Sequence, residues 1–498
     1  MMLKFETELK KIKYLVLKEV AQLAIEDNMD KLEMLKIPYK ILNEKQAEYR
    51  CCVYRERTVV YERAQLAAGF KPDDNLTNEL ESISDNDQII YVIASACDQC
   101  PLNRFRVTEA CRGCIQHRCM EVCSAKAMVR INGKSYIDQN KCRECGLCKK
   151  VCPYNAIVEV MRPCKKVCPT GALEINPDDK RAMIEKENCI NCGACMAACP
   201  FGAISDKSYI VNIAKLLKEK KKVYAVVAPA ITGQFGPQVK VGQVKNALTK
   251  AGFKDMVEAA CGADAVVFSE SEEFVERMKE GQKCMTTSCC PGFVNYIENQ
   301  FKDLAENIST TVSPMVATGR MIKEMDKDSY VVFIGPCTAK KSEVLRKELK
   351  DAVDYVMTFE EIAALLGALQ IEPSECEEDP VQDASTFGRG FAQSGGVTAA
   401  IQNFIDSKEI DIEFNPTKVS GKDEIKKTLM LAKAGRIPFN FVEGMMCEGG
   451  CIGGPATMTS LMKAKGQLIK FSKESESKDV ITNKKVENFE KVNMHKHK

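Results

Sequence analysis

The sequence contains no Trp and only 3 His among its 498 residues. Two of these histidines, His495 and His497, lie within the last four residues. His117 is therefore the only histidine inside the body of the chain. This scarcity nearly excludes a Ser-His-Asp catalytic triad, a histidine-rich zinc site and a bis-His haem.

An excess of charge of one sign is also absent. The chain has 71 basic and 69 acidic residues, a formal net charge of +2, so it offers no broad field for nucleic acid or an anionic membrane. No run approaches the roughly 18 apolar residues of a membrane-spanning helix. Residues 1–13 are charged throughout and do not resemble a secretory signal. We therefore expect a cytoplasmic protein that binds neither nucleic acid nor membrane.

Cysteine, by contrast, is abundant, with 26 residues in a chain that is 45% hydrophobic. At roughly 150 residues per domain, the length predicts about three domains. Without an export signal, so many cysteines in a long chain indicate metal ligation in a reducing compartment rather than disulfides.

The texture of the sequence predicts four segments in a multidomain α+β protein. Residues 1–88 have helical spacing and end in a polar, acidic linker over 71–88. Residues 89–215 contain sixteen cysteines. Residues 216–470 alternate strand-like and helical runs, which predicts an α/β domain. Residues 471–498 are rich in Lys, Glu and Ser, which predicts a mobile tail.

The cysteine-rich segment repeats the run C-x2-C-x2-C-x3-C-P. Full copies begin at Cys142 and Cys189, and a stretched copy runs from Cys111 to Cys123. Bacterial ferredoxins hold 4Fe–4S cubanes with this run, whose fourth cysteine ligates the neighbouring cluster. Zinc is disfavoured because the pairs of fingers and ribbons lie a dozen or more residues apart. The run therefore predicts a ferredoxin-like domain.

Exchanging the fourth cysteines in this way divides the sixteen cysteines among four accessory 4Fe–4S clusters. The first set is Cys111, Cys114, Cys119 and Cys152. The second set is Cys142, Cys145, Cys148 and Cys123. The third set is Cys189, Cys192, Cys195 and Cys168. The fourth set, obtained by subtraction, is Cys97, Cys100, Cys164 and Cys199. His117 could replace a thiolate, although a lone histidine near a cluster is more often a surface or hydrogen-bonding residue.

Three further cysteine-bearing turns lie in the α/β part. They are TSCCPGF over 287–293, GPCTAKKSE over 335–343 and EGMMCEGGCIGG over 443–454. Turns rich in Gly, Pro and small residues let the backbone approach an inorganic cofactor closely. They supply four thiolates for one more cubane, from Cys290, Cys337, Cys447 and Cys451.

At these turns the sequence resembles the iron-only (FeFe) hydrogenases, whose three signature loops occur in the same order. The resemblance covers about residues 90–460 and is nearest to the monomeric group B subgroup. It implies a catalytic domain over 216–470 that interconverts H2 with two protons and two electrons. It further implies accessory clusters that relay electrons to or from ferredoxin, and maturation proteins that supply a diiron unit. Whether the protein is a monomer or a homodimer stays open.

The resemblance also implies individual roles. Cys290, Cys337, Cys447 and Cys451 would ligate the cubane of the H-cluster, and Cys451 would bridge it to a diiron subsite carrying CO, cyanide and azadithiolate. Cys289 would be the proton-delivering thiol. Lys340 would donate a hydrogen bond to one cyanide, Met445 would pack near the bridging CO, and Pro229 would line the other cyanide.

Spacing predicts a proton path. Glu272 lies 17 residues before Cys289 and Ser309 lies 19 after Cys290, which matches the inner path of the family. The outer position falls on Ser269, where the family usually has Glu, and the adjacent Glu270 could substitute. Other departures, expected to shift potential, catalytic bias and oxygen sensitivity, are Gly335 for Met, Phe293 for Trp, Ala230 for Ser and Met315 for Gln.

Two alternatives stay open. A non-catalytic hydrogenase-like iron–sulfur protein would typically lack the proton thiol and end in Trp, whereas this chain has Cys289 and no Trp. A hydrogen sensor would carry a sensory module, which the sequence does not suggest. The remaining cysteines are predicted to be small buried apolar side chains; they are Cys51, Cys52, Cys261, Cys284 and Cys376.

Overall fold

The computed structural model describes residues 5–42, 46–72, 88–98, 100 and 103–496. Most of the linker predicted over 71–88 lies outside the described residues, as does His497. Within the described ranges, no helix combines the length and the apolar character needed to cross a membrane.

The N-terminal region is helical, as predicted, and consists of α1 (Glu8–Ile25), α2 (Lys31–Ile41) and α3 (Val53–Ala67). The side chains of Thr7 and Asp30 cap the first two helices by accepting hydrogen bonds from the backbone of the first turn. One face of α1 is buried against the rest of the chain, where Lys13 pairs with Glu360. The three helices therefore pack on the α/β part.

The cysteine-rich region is built from antiparallel two-stranded ribbons and helices of one turn. The ribbons pair β1 with β8, β2 with β5, β3 with β4 and β6 with β7. The strands are β1 (Ile90–Val92), β2 (Phe105–Val107), β3 (Met128–Ile131), β4 (Lys134–Ile137), β5 (Ile157–Glu159), β6 (Leu173–Ile175), β7 (Ala182–Ile184) and β8 (Ile204–Asp206). The short helices are α4 (Arg118–Glu121), α5 (Leu147–Lys150), α6 (Pro163–Val167) and α7 (Ala194–Ala198).

The two full cysteine runs begin their helices in the same way. Gly146 precedes α5 with φ 75° and Gly193 precedes α7 with φ 73°. This left-handed conformation favours glycine. Both glycines directly follow the second cysteine of the run, so the repeat in the sequence is also a repeat in the backbone.

The α/β part contains two parallel sheets. One has the order β10 (Asp255–Glu258), β9 (Val223–Val227), β12 (Tyr330–Gly335), β13 (Tyr355–Thr358). The other has the order β11 (Met285–Thr286), β15 (Phe441–Met445), β14 (Pro416–Ser420). The helices are α8 (Ile210–Lys218), α9 (Val241–Lys250), α10 (Ala259–Lys279), α11 (Pro291–Gln300), α12 (Pro314–Met325), α13 (Ala339–Glu343), α14 (Phe359–Ala368), α15 (Thr386–Gly390), α16 (Gly396–Ser407), α17 (Lys422–Lys433) and α18 (Leu461–Lys473). The predicted fold class, α+β with a helical start, a ferredoxin-like region and an α/β domain, is confirmed.

The C-terminal segment differs from the prediction of a mobile tail. Val480 is fully buried, and a 3₁₀ helix over Lys484–Phe489 buries Phe489. The Asn483 side chain donates to the Asp264 carboxylate at 2.7 Å. The prediction weighed the charged composition and missed these widely spaced residues, which pack on α10.

Replacing Asn483 by Ala is expected to lower the free energy of unfolding by about 1–3 kcal/mol, because a buried carboxylate loses a donor. Burial raises the pKa of Asp264 to about 6. Since the amide stabilises the ionised carboxylate, the loss should be larger well above pH 6 than well below it. Urea unfolding at the two pH values measures this. The exposed Lys484, changed to Ala, is the control, and equal losses in both variants would contradict the assignment.

Candidate active site

The three cysteine-bearing turns of the α/β part follow the carboxyl ends of parallel strands. Cys290 caps α11 after β11, Cys337 lies between β12 and α13, and Cys447 and Cys451 follow β15. Carboxyl ends of parallel strands in a sheet lie along one edge, where α/β proteins form their sites. This topology brings the turns after β11 and β15 together, and the turn after β12 meets them from the other sheet, where Cys337 lies near Cys290.

The four thiols converge in a buried setting. Burial, followed by the nearby Cys290 and Cys337, raises the pKa of Cys451 to about 12. Burial and the charge of Cys290 raise the pKa of Cys337 to about 11. Burial and the other three thiols raise the pKa of Cys447 well above its usual value. Ionising four buried thiols without a nearby cation is unfavourable. The four thiols therefore fit the cationic iron–sulfur core of a cubane.

Among the described residues, no three His, Cys, Asp or Glu side chains are placed to hold a single metal ion. The four thiolates of a cubane each bind a different iron atom, so they need not approach one another as ligands of a single ion do. The convergence of Cys290, Cys337, Cys447 and Cys451 is compatible with the cubane that the sequence predicts.

A cavity of about 80 Å³ lies beside these thiols. The residues to which the resemblance assigned a role around a diiron unit all line it; they are Cys289, Cys451, Lys340, Pro229 and Met445. Most of the remaining wall is apolar, including several alanines. The cavity can therefore hold a small inorganic group away from bulk water.

Lys340 supplies the positive charge of this cavity. Its ammonium donates to the Cys289 carbonyl at 3.3 Å and to Glu343 at 2.7 Å. Burial lowers the pKa of Lys340, but Glu343 and nearby thiols offset this and raise it overall. An ammonium has three donors, and the described residues accept from two. The third is available to an anionic ligand in the cavity.

Two departures from the family pattern have a packing explanation. A Cβ at Gly335 would lie 2.5 Å from the Phe333 ring, and Phe333 itself lines the cavity. A Cβ at Gly444 would lie 2.3 Å from the Phe293 ring. The Phe333 ring thus occupies the space that a side chain at position 335 would need, and the Phe293 ring occupies the space next to Gly444. Glycine at position 335 therefore accompanies phenylalanine at position 333.

A buried carboxyl group, Glu270, lies next to Cys289. The Ser288 backbone donates to Glu270 Oε1 at 3.4 Å, while Oε2 has no hydrogen-bond partner among the described residues. Burial, followed by the charge of Glu273, raises the pKa of Glu270 to about 8. Glu270 therefore holds a proton at neutral pH.

A second carboxylate lies one turn along α10. Glu273 accepts from the Ser309 hydroxyl at 2.7 Å and from the Thr310 hydroxyl at 3.0 Å. Burial raises its pKa, but these hydrogen bonds and the Arg277 charge lower it overall. The nearby Ser309 hydroxyl also lowers the pKa of Glu270, without offsetting the effect of burial. Ser309 thus lies between a protonated and an ionised carboxyl group.

Glu272, predicted for the inner path, does not lie on this route. It is exposed and lines a surface cavity, because two positions along a helix rotate a side chain by about 200° away from Glu270. Glu270, considered only as an outer substitute, is instead the carboxyl group that lies next to Cys289. Ser269 lies at the same surface cavity and exchanges a hydrogen bond with Thr311 at 3.0 Å. Counting residues from Cys289 assigned the wrong face of α10.

Cysteines of the predicted third accessory set lie near one another in the structure, and so do cysteines of the fourth set. Burial, followed by Cys199, Cys100 and Cys97, raises the pKa of Cys164 to about 11. Burial also raises the pKa of Cys192 to about 12, with Cys189, Cys168 and Cys337 as neighbouring thiols. Cys195 lies near the other three cysteines of the third set and also near Cys164 of the fourth set. The order is therefore active-site thiols, third set, fourth set.

The first and second sets surround a small separate core. Phe105, Met128, Ile137 and Ile157 form its centre, against which members of both sets pack. The Ser135 amide donates to the Cys111 sulfur at 3.4 Å, and the Ser135 hydroxyl lies 3.5 Å from the Cys119 sulfur. His117 lies 2.5 Å from an Arg130 nitrogen, as expected of a hydrogen-bonding residue.

Arg63 lies near the fourth set of cysteines and shows whether its surroundings suit an iron–sulfur cluster. It is buried in α3 and donates from Nη2 to the Gly202 carbonyl at 2.7 Å. Its Nε and Nη1 groups have no hydrogen-bond partner among the described residues. Burial lowers the pKa of Arg63 to about 10, whereas the nearby Cys199 raises it. Two unpaired donors beside Cys199 fit the sulfur atoms of an anionic cluster.

Three family descriptions match parts of the chain. "Iron only hydrogenase large subunit, C-terminal domain" matches residues 221–455. "LdpA Fe-S cluster-binding domain" matches residues 158–210, and "4Fe-4S binding domain" matches residues 135–158. The iron–sulfur matches and the hydrogenase match follow one another along the sequence.

Individual proteins are also similar to this chain, two of them over more than 360 residues. The periplasmic [Fe] hydrogenase large subunit of Nitratidesulfovibrio vulgaris is 30% identical over 383 residues, covering 66% of this chain and 87% of that protein. Iron hydrogenase 1 of Clostridium pasteurianum is 29% identical over 369 residues, covering 64% of each. A cytosolic Fe-S cluster assembly factor of Kluyveromyces lactis is 33% identical over 124 residues, covering 25% of this chain and 26% of that protein.

Proposed function

The chain belongs to the iron-only hydrogenase family, and from that premise we propose that it reversibly interconverts H2 with two protons and two electrons. The observation that carries the proposal is the cavity at which Cys289, Lys340 and the converging cubane thiols meet. When bound, a diiron unit joined to the cubane supplies the centre at which H2 is formed or split.

Different residues would bind the cubane, contact the diiron ligands and transfer protons. Cys290, Cys337, Cys447 and Cys451 would hold the cubane, and Lys340 would donate to a cyanide from its third N–H group. Pro229 and Met445 shape the apolar wall. The thiol of Cys289 passes a proton to or from the cavity, and Glu270, Ser309 and Glu273 connect that thiol with the surface.

Electrons take a separate route in this proposal. The third set of cysteines lies between the active-site thiols and the fourth set, which suits a relay through about four accessory 4Fe–4S clusters. We propose ferredoxin as the electron partner, maturation proteins as the source of the diiron unit, and the cytoplasm as the location. One relative is named as periplasmic, so location does not follow from the family.

A second candidate function is that of a non-catalytic iron–sulfur protein, which the similarity to a cytosolic Fe-S cluster assembly factor favours. That similarity covers 25% of this chain. The two candidates differ at the cavity, since only a hydrogenase requires a diiron unit there.

Infrared spectroscopy of protein matured with its diiron unit tests the proposal. A hydrogenase should show CO and CN stretches, and the protein should contain about 20 iron atoms for five cubanes plus two for the diiron unit. H2 evolution with reduced ferredoxin should accompany the bands. Full cubane loading without the bands after maturation would favour the non-catalytic alternative.

Replacing Arg63 by Met is expected to shift the midpoint potential of the fourth cluster to more negative values. A nearby positive charge and N–H donors favour the reduced cluster. The expected shift is on the order of 60 mV, equivalent to about 1.4 kcal/mol for a one-electron couple. A redox titration followed by electron paramagnetic resonance measures it. Arg57, on the same helix and bonded to the Leu42 carbonyl, is the control when changed to Met. Equal potentials in both variants would contradict the role.

A further inference from the structure

The C-terminal segment covers the outer end of the Glu270–Ser309–Glu273 route. Residues Thr311 and His495 form an antiparallel bridge. Arg320 donates to the His495 carbonyl at 3.0 Å, and Lys496 donates to the Ser309 carbonyl at 3.3 Å. These contacts hold the segment at the mouth of the route.

His495 is hydrogen-bonded into the route itself. Its Nδ1 lies 2.9 Å from the Thr310 hydroxyl. That hydroxyl donates to Glu273 Oε1 at 3.0 Å, and Glu273 Oε2 accepts from Ser309 at 2.7 Å. Beyond Ser309 lies Glu270, which is next to Cys289 and whose Oε2 has no hydrogen-bond partner among the described residues. Hydrogen bonds therefore join the His495 ring to Ser309, and Glu270 lies between Ser309 and the active-site cavity.

The exposed side of His495 faces a surface cavity of about 810 Å³. Several carboxylates of α10 and of the tail line it, and negative charge at a cavity mouth raises the local proton concentration. The charged groups that line this cavity or adjoin His495 are Glu272, Glu273, Glu276, Arg277, Glu280, Arg320, Glu490 and Lys496.

Two cationic side chains, Arg277 and Lys496, are also bonded to this end of the route. Arg277 donates to Glu273 at 2.5 Å, but a guanidinium does not release its proton in proteins. Burial lowers the pKa of Lys496, but its ammonium donates to the backbone carbonyl of Ser309 rather than to a side chain of the route. Histidine is the side chain that ordinarily gains and loses a proton near neutrality. Of the side chains bonded to this route at its outer end, His495 is the exposed one, so its ring can exchange protons with water.

We propose that His495 is the relay residue through which protons pass between the surface cavity and Glu273. In the inward direction the Nδ1 proton of His495 moves to the Thr310 oxygen as the Thr310 proton moves to Glu273 Oε1. Because His495 starts this step with a proton on each ring nitrogen, it is left neutral with its Nε2 proton, and its ring then turns to take a new Nδ1 proton from hydronium in the surface cavity. No electrons move and no bond other than these N–H and O–H bonds changes. The relay rests on the proposed hydrogenase function.

Kinetics of the matured full-length enzyme test the relay with His495→Ala, His495→Gln and Thr310→Val. We expect the H2-evolution rate to fall about tenfold in each variant. His495→Gln keeps a hydrogen-bonding side chain without a titrating group, so its loss separates proton transfer from folding. Added imidazole should restore the His495→Ala rate but not the Thr310→Val rate. The exposed Lys491, changed to Ala, should retain the wild-type rate and pH profile.

Infrared spectroscopy of the protein before maturation gives a second readout. The C=O stretch of the protonated Glu270 shifts when the carboxyl proton exchanges for deuterium. His495→Ala should slow that shift about tenfold after transfer to D2O, and Glu270→Gln identifies the band. Unchanged exchange, together with an unchanged pH profile in His495→Gln, would overturn the relay. Inactive wild-type protein without CO and CN bands would instead contradict the hydrogenase proposal, and the exchange experiment would still report on the relay.

Discussion

Replacing Cys289 by Ala is expected to lower the rate of H2 evolution about a thousandfold while the CO and CN bands of the matured protein persist. The Cys289 thiol lines the cavity and lies next to Glu270. Burial, followed by the charges of Glu270 and Cys290, raises its pKa well above the usual value, so the group is a thiol that holds its proton. Alanine keeps the space and removes the proton carrier.

The control for this substitution is Cys284→Ala. Cys284 is buried five residues earlier in the chain and its thiol lies 3.7 Å from the Met285 carbonyl, away from the cavity lining. Its loss should cost stability, about 1 kcal/mol or more, and leave the turnover number of folded enzyme unchanged. If Cys289→Ala kept the wild-type rate, the proton path would be wrong but the hydrogenase proposal would stand.

Replacing Glu270 by Gln is the second largest expected effect, a loss of about a hundredfold in H2 evolution with the infrared bands retained. Glutamine preserves shape and burial but cannot transfer the proton that Glu270 holds at neutral pH. Glu272→Gln is the matched comparison on the same helix. Because Glu272 is exposed, its loss should be far smaller. A larger loss at Glu272 than at Glu270 would restore the assignment made by residue counting.

The pH dependence of stability gives an independent check on Glu270. The pKa of Glu270 is about 8 when folded and near its ordinary 4.5 when unfolded. The folded state therefore binds more protons between these values, and the free energy of unfolding falls as pH rises through this window. Glu270→Gln should remove that part of the slope. Urea unfolding across the window measures it, and identical slopes in both proteins would contradict a buried, protonated Glu270.

Much of the site was accessible from sequence because its elements are local. The spacing of Cys189, Cys192 and Cys195 is set by one turn and one short helix, so the ligand run survives in any arrangement of the surrounding fold. The three signature turns around Cys290, Cys337 and Cys447 carry their Gly and Pro residues beside the cysteine. The structure then places these turns at the carboxyl ends of parallel strands.

The proton route was less accessible, because it depends on which face of a helix is buried. Glu270, Glu272 and Glu273 are near neighbours in sequence, yet only the packing of α10 against the Ser309 segment selects two of them. A helical-wheel comparison with the buried residues of α10 was the available signal. The charged composition of residues 471–498 likewise predicted a mobile tail. Val480 and Phe489 are buried, but two isolated apolar residues among charged neighbours do not form a recognisable pattern in the sequence.

The sequence by itself identified the family and predicted the kinds of ligand and the four cysteine sets, since these depend on residue types at short, fixed spacings. Only the tertiary structure decided that Glu270 lies next to Cys289 and that His495 reaches Thr310, 185 residues earlier in the chain. Contacts of that separation follow from how segments pack. The physical reason is that burial and hydrogen bonding, which set the protonation of each group, exist only once distant segments meet.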